Sequence, residues 1–133
     1  MADVYVLDSF ALISYLEKGK GARKVKEILS QAEKGRNRVL LCIVNLGEVY
    51  YITYRRYGPD KVEQVLSAIE QLPVEVVDAD RRITLSAARI KATYPIAYAD
   101  AFAVALANDS DAHLVTGDPE FKKLKAKVPI LWI

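Results

Sequence analysis

Short apolar runs alternate along the chain with longer segments of helical periodicity. The runs are rich in β-branched residues and are predicted to be strands at 4–8, 38–44, 74–77, 113–117 and 129–133. The segments between them predict helices that begin near residues 9, 21, 45, 59, 80, 97 and 119. Strands that alternate with helices favour a parallel sheet covered on both faces. We therefore predict an α/β fold, with a central parallel sheet of four to five strands flanked by helices in a single domain, residues 1–133.

Composition restricts the class of protein. With 52% hydrophobic and 27% charged residues in 133, the chain resembles a globular protein rather than a disordered one. No apolar run approaches the roughly 18 residues of a membrane span, and "MADVYVLDSF" is unlike a signal peptide. The single Cys42 excludes an internal disulfide and fits a reducing compartment. We expect a cytoplasmic protein without a membrane segment.

One carboxylate stands in an unusual place. Asp100 lies near the start of "YADAFAVALA", a segment that is apolar nearly all round and is therefore predicted to be a buried helix. A buried carboxylate is costly unless it is paired, protonated or bound to a cation. Asp100 is thus the first candidate for a functional residue.

Three further acids lie at or just after the carboxyl ends of predicted strands. Asp8 ends the first strand, Glu48 lies in the first helical turn after the second, and Asp118 follows the fourth. Binding sites of parallel sheets form beyond the carboxyl ends of the strands, where these four acids would meet. Converging carboxylates raise one another's pKa or bind a cation. Ligands that are all oxygen suit Mg²⁺ or Mn²⁺, which promote phosphoryl chemistry.

Each of these residues also has a local explanation. Asp8 and Asp118 are suitable helix N-caps, and Glu48 suits a solvated helix face. Ser9 and Thr116 are possible accessory groups beside the acids, although such residues are more often local caps. Asn45 is predicted to cap the helix that follows the second strand. The prediction of a site depends on the set of acids rather than on any one of them.

Basic and aromatic side chains offer possible contacts to a polyanion. If four of the 17 acids gather at one site, 19 basic residues face 13 acidic ones over the rest of the chain, a balance that suits phosphate binding. Tyr50, Tyr54 and Tyr57 share one helix face, where they would stack on bases, form a dimer contact or fill the core. The basic candidates for contact with such a polyanion are Arg36, Arg38, Arg55, Arg56, Arg81, Arg82, Lys122 and Lys123.

The ordered motifs resemble those of the PIN-domain family. The matching segments are "VLDS" (6–9), "NLGEV" (45–49), "YADAFAVALA" (98–107) and "TGDPEF" (116–121), so the resemblance covers essentially the whole chain. A stand-alone chain of this length is similar to the VapC-type toxins of type II toxin–antitoxin systems. The resemblance implies a Mg²⁺- or Mn²⁺-dependent ribonuclease that is generally dimeric and is inhibited by an antitoxin. It also implies that Asp8 and Asp100 are the principal metal ligands and that Glu48 and Asp118 complete the site, with Thr116 as the polar residue beside the last acid.

Two other functions stay open. A PIN-like scaffold that binds RNA or a protein without cutting is compatible with the same sequence. A phosphatase that uses an aspartyl phosphate also places an Asp after the first strand, but the second Asp expected two residues later is Phe10 here. A dinucleotide-binding domain is disfavoured because "DSFAL" is not a glycine-rich turn.

Overall fold

A computed structural model describes residues 3–124 and 128–133, so five residues of the predicted single domain lie outside the described part. Five strands are present: β1 (Asp3–Leu7), β2 (Asn37–Cys42), β3 (Glu75–Val77), β4 (His113–Thr116) and β5 (Ile130–Trp132). The helices are α1 (Ser9–Leu16), α2 (Ala22–Glu33), α3 (Ile43–Tyr57), α4 (Pro59–Glu70), α5 (Arg81–Thr93) and α6 (Tyr98–Asp109), and a 3₁₀ helix covers Pro119–Leu124.

The strands form one parallel sheet in the order β3-β2-β1-β4-β5. The chain adds β2 and β3 on one side of β1 and then crosses to add β4 and β5 on the other side. This reversal leaves a crevice between the carboxyl ends of β1 and β4, where α/β sheets typically bind ligands. The predicted α/β fold and parallel sheet are confirmed, with five strands.

Alternation along the strands divides the core between the two faces of the sheet. Val6 and Leu114 face α5, α6 and the 3₁₀ helix, whereas Leu7 and Val115 face α1 to α4. All four side chains are fully buried. Both faces are therefore covered, which explains why the strands are nearly continuous apolar runs rather than alternating ones.

Helix α6 is the most buried helix beside the site. All eight residues from Asp100 to Ala107 are buried, as the sequence predicts for this segment. Small side chains at alternate positions let α6 pack closely on the sheet and on α5. The first turn of α6 therefore holds Asp100 in an apolar setting.

The structure corrects two predictions on α3. This helix begins at Ile43 with Cys42 as the N-cap residue, so Asn45 does not cap it and is instead fully buried in its first turn. The tyrosines of α3 do not fill the core, because Tyr50, Tyr54 and Tyr57 are all exposed. Within the described part of the chain, no helix has the length and apolar character needed to cross a membrane.

Candidate functional site

The carboxyl ends of β1 and β4 bring two of the predicted residues into direct contact. Asp8 follows β1 and is 1% exposed. Its Oδ1 accepts a hydrogen bond from the Ala11 backbone N–H at 2.8 Å, which caps α1, and its Oδ2 accepts one from Thr116 Oγ1 at 2.5 Å. Asp8 is thus a helix cap and also part of the crevice. The predicted neighbourhood of Asp8 and Thr116 is present in the structure.

The fourth acid is held by the same hydroxyl. The backbone N–H of Asp118 donates to Thr116 Oγ1 at 3.0 Å, while Asp118 Oδ1 accepts the Glu120 N–H at 2.9 Å. Asp118 therefore caps the start of the 3₁₀ helix, as its position before Pro119 predicts. Thr116 links the loop of Asp118 to the carboxylate of Asp8.

Glu48 is positioned by the buried amide of Asn45. Asn45 Nδ2 donates to Glu48 Oε1 at 3.0 Å and to the backbone carbonyl of Ala99 at 3.1 Å. Ala99 precedes Asp100, so this one side chain ties the first turn of α3 to the first turn of α6. The role of Asn45 could not be seen from its sequence position, which favoured a cap.

A cleft of about 610 Å³ lies over these residues. Its lining includes Glu48, Asp100 and Asp118, together with Ser9, and Asp8 is buried next to it. The cleft also contains Glu120, which was not predicted from the sequence; its place directly after the Asp118–Pro119 pair was the only available signal. The remaining lining residues are Phe10, Ile13, Ser14, Ile52, Arg56 and Ala97.

Burial and mutual repulsion perturb two of the acids strongly. The pKa of Asp8 is raised to about 7, chiefly by burial and further by the charges of Asp100 and Asp118, against the opposing hydrogen bonds from Thr116 and Ala11. The pKa of Asp100 is also raised to about 7, by burial first and then by the charges of Asp118, Glu48 and Glu120. The acids therefore act on one another electrostatically, as the sequence predicts for a converging set.

The donor set suits a hydrated divalent cation better than an enclosed one. Among residues 3–124 and 128–133, no three Asp, Glu, His or Cys side chains are grouped closely enough to hold a metal ion between them. Mg²⁺ usually keeps several waters and binds through one or two carboxylates. Such an ion fits this site, because all the donors are oxygen atoms and the cleft is open. It would also neutralise Asp8 and Asp100, whose carboxylates are buried without a basic partner in the described part of the chain.

The basic candidates are distributed unevenly around the cleft. Arg56 lines it, whereas Arg38 pairs with Glu75 and Arg82 pairs with Asp109 on the surface. Arg55 lies over the ring of Tyr51, 4.9 Å from its centroid. The rings of Tyr50 and Tyr54 stack on each other with centroids 6.3 Å apart. Of the eight basic residues proposed from sequence, Arg56 alone is among the lining residues of the cleft.

Comparison with known proteins agrees with this architecture. The family model described as "PIN domain" matches residues 5–127. No curated protein matches the chain in sequence. Similar solved structures include VapBC2 from Rickettsia felis bound to a DNA fragment from the promoter, with a TM-score of 0.75, 16% identity, and coverage of 96% of this chain and 97% of that one.

Two further solved structures are similar over most of their length. DNA-bound VapBC from Salmonella typhimurium has a TM-score of 0.74 at 18% identity and covers 98% of both chains. VapC20 from Mycobacterium tuberculosis, described as a toxin that cleaves the sarcin–ricin loop, has a TM-score of 0.68 at 14% identity, with 89% of this chain and 92% of that one covered. At these identities the likeness shows a shared fold.

Proposed function

Since the chain belongs to the PIN-domain family, we propose that it is a divalent-cation-dependent endoribonuclease and the toxin of a toxin–antitoxin pair. The observation that carries the proposal is the burial of Asp8 and Asp100 beside further acids. Within the described residues neither carboxylate has a basic side chain within salt-bridge distance. A structural role alone does not account for keeping two uncompensated carboxylates in one crevice.

Asp8 and Asp100 would hold Mg²⁺ or Mn²⁺, and Glu48 and Asp118 would complete its surroundings directly or through water. When bound, the cation would lower the pKa of water and neutralise charge developing on a phosphodiester. The chain's own contribution is to position these oxygen atoms before the substrate arrives. Thr116 fixes one oxygen of Asp8, and Asn45 fixes one oxygen of Glu48.

We propose Ser9 as an accessory group. It follows Asp8, is buried and lines the cleft. Its hydroxyl would bind a water or a substrate oxygen at the cleft floor. No side chain of the cleft pairs a hydroxyl or thiol with an adjacent base, within the described residues, so direct attack by water is the mechanism that the site supports.

The partner proposals depend on the relatives. One solved structure of similar fold is described as a toxin–antitoxin complex from Klebsiella pneumoniae. We further propose that the chain binds a cognate antitoxin, forms a homodimer and is located in the cytoplasm. Co-purification with a protein encoded beside the chain, and light scattering of the free chain, test the antitoxin and the dimer separately.

Cleavage of RNA tests the activity. The wild-type protein should cut a cellular RNA pool with Mn²⁺ or Mg²⁺ and stop when EDTA is added. Asp8→Asn and Asp100→Asn should each lose at least 100-fold in rate, while Asp60→Asn, an exposed change outside the cleft in the first turn of α4, should keep it. Binding of RNA or an antitoxin without any cutting would favour the non-cleaving module. A covalent phosphate on Asp8 would favour the phosphatase.

A further inference from the structure

The cleft is lined by several acidic side chains and one basic side chain. Four of its lining residues are acids (Glu48, Asp100, Asp118 and Glu120), and Arg56 is the one basic side chain among the lining residues. Glu120 is paired with Lys123 at 2.9 Å, whereas the other three acids have no basic side chain of the described residues within salt-bridge distance. An RNA strand must bring its own negative charge to this cleft. A divalent cation compensates charge only where it binds, so the approach of neighbouring phosphates needs a separate cation.

Helix α3 sets the distance between the backbone of Arg56 and that of Glu48. Glu48, Ile52 and Arg56 are spaced four residues apart on α3 and all line the cleft, so they form one face of the helix. A rise of 1.5 Å per residue separates the backbone of Glu48 and Arg56 by about 12 Å along the helix axis. Arg56 therefore stands at the end of the cleft away from the first turn of α3, where it would meet a phosphate other than the one being cut.

The guanidinium of Arg56 is held on one side and free on the other. Its Nη1 donates to both carboxylate oxygens of Glu17 at 3.3 Å, and Tyr57 Oη donates to the same carboxylate at 3.4 Å. Nη2 and Nε make no hydrogen bond to any residue in the described ranges. Glu17 thus orients the side chain while leaving three N–H donors for a ligand.

The ion pair between Arg56 and Glu17 can be replaced by a contact to a phosphate at little cost in stability. The side chains of Arg56 and Glu17 are 53% and 38% exposed, and exposed ion pairs contribute little to stability. A phosphate accepts two parallel hydrogen bonds from a guanidinium, a stronger arrangement than two contacts to one nitrogen. Binding of a phosphate therefore does not require that the fold lose a strong interaction.

We propose that Arg56 binds a non-bridging oxygen of a phosphate next to the scissile one and so sets the register of the RNA strand against the acids. The proposal rests on the proposed ribonuclease function. Arg55 is the natural contrast, because it carries the same charge one residue earlier but stacks on Tyr51 outside the lining of the cleft. A general attraction of RNA to the basic surface would use both arginines equally.

Binding of a short fluorescent single-stranded RNA tests the assignment. Arg56→Gln, Arg56→Lys and Arg55→Gln are each placed in the Asp100→Asn background, so that nothing is cut during the titration. Arg56→Gln should weaken binding about tenfold and reduce the slope of log affinity against log salt by about 0.7. Arg56→Lys should restore most of the slope, since the slope counts charges, and Arg55→Gln should change affinity less than twofold.

Steady-state cleavage by the same variants with Asp100 intact gives a second readout. Arg56→Gln should raise KM more than it lowers kcat, because the contact is made before and during the reaction. Equal weakening by Arg55→Gln and Arg56→Gln, or no weakening by either, overturns the role of Arg56 and leaves the ribonuclease proposal intact. If the wild-type chain neither binds nor cuts RNA, both proposals fail. If RNA is bound through Arg56 but never cut, the ribonuclease proposal fails and Arg56 is an RNA-binding residue with no scissile phosphate to position.

Discussion

Thr116 Oγ1 donates a hydrogen bond of 2.5 Å to Asp8 Oδ2, joining two residues that are 108 positions apart in the sequence. The bond crosses from the end of β4 to the end of β1, which are neighbours in the sheet. The same hydroxyl oxygen accepts the backbone N–H of Asp118. One side chain therefore fixes a buried carboxylate and the loop that carries a second acid.

Replacing this hydroxyl should weaken cation binding in a pH-dependent way. The hydrogen bond from Thr116 lowers the pKa of Asp8, so Thr116→Val should raise that pKa further. Protons then compete more strongly with the cation, and calorimetry should show Mn²⁺ affinity reduced severalfold at pH 6 and less at pH 8. Thr116→Ser keeps the hydroxyl and should bind as the wild type does. A uniform loss at both pH values would show that Thr116 acts only through the shape of the loop.

Removing the charge of Asp8 should stabilise the metal-free protein at high pH. The pKa of Asp8 is about 7 in the fold and about 3.9 in an unfolded chain. Between these values the folded state keeps a proton that the unfolded state has lost, so the wild-type protein loses stability as pH rises from about 4 to 7. Asp8→Asn keeps an acceptor for the Ala11 N–H and should be more stable by roughly 1–3 kcal/mol at pH 8.

Urea denaturation of both proteins in EDTA at pH 4.5 and pH 8 measures this difference. The stabilisation by Asp8→Asn should be clear at pH 8 and nearly absent at pH 4.5, where Asp8 is protonated in the folded wild-type protein. If Asp8→Asn were no more stable than the wild-type protein at pH 8, the charge of Asp8 would not destabilise the fold.

The amide of Asn45 should matter for both stability and activity. Asn45→Ala leaves Glu48 and the carbonyl of Ala99 without their shared donor and should cost about 1–3 kcal/mol. Because Glu48 then loses its orientation, the cleavage rate should also fall at least tenfold. Asn37→Ala removes a similar bond, from Nδ2 to the Ile28 carbonyl at 3.3 Å, away from the cleft. It should reduce stability but leave activity unchanged, and an equal loss of activity in both variants would contradict a specific role for Asn45.

Two glycines near the acids should respond oppositely to alanine. A Cβ on Gly47 meets nothing within 4 Å, so Gly47→Ala within α3 should stabilise the protein by about 0.5–1 kcal/mol. A Cβ on Gly117 would lie 2.5 Å from Phe10 Cε1 and 3.1 Å from the Ile133 carbonyl. Gly117→Ala should therefore lower the melting temperature and displace the Asp118 loop, and thermal melts of both variants check the contrast.

Much of the fold could be predicted because periodicity reports burial. The strand runs are apolar on both faces, which is typical of a covered parallel sheet, and the apolar segment after residue 97 forms the buried helix α6. The convergence of Asp8 and Asp118 follows from the rule for strand ends in such sheets. Asp100 could be identified because a carboxylate in an apolar helix contradicts its surroundings.

The finer organisation of the site depends on packing that a single sequence does not encode locally. Asn45 has the residue type of a cap, and only the approach of α6 to α3 reveals that its amide serves Glu48 and Ala99. Glu120 lines the cleft because it lies in the first turn of the 3₁₀ helix that directly follows Asp118. Arg55 and Arg56 are adjacent in sequence, but successive residues of a helix point in directions about 100° apart. Which of the two faces the cleft can therefore be read only from the structure.

The proposed function requires that acids far apart in sequence form one divalent-cation site at the ends of β1 and β4. An anomalous difference map from crystals of the protein grown with Mn²⁺ tests it most directly. We expect a Mn²⁺ peak bound to carboxylate oxygens of Asp8 and Asp100 within the cleft, and no such peak in Asp100→Asn crystals. A cleft without Mn²⁺, or a peak there that is unchanged in the variant, would contradict it.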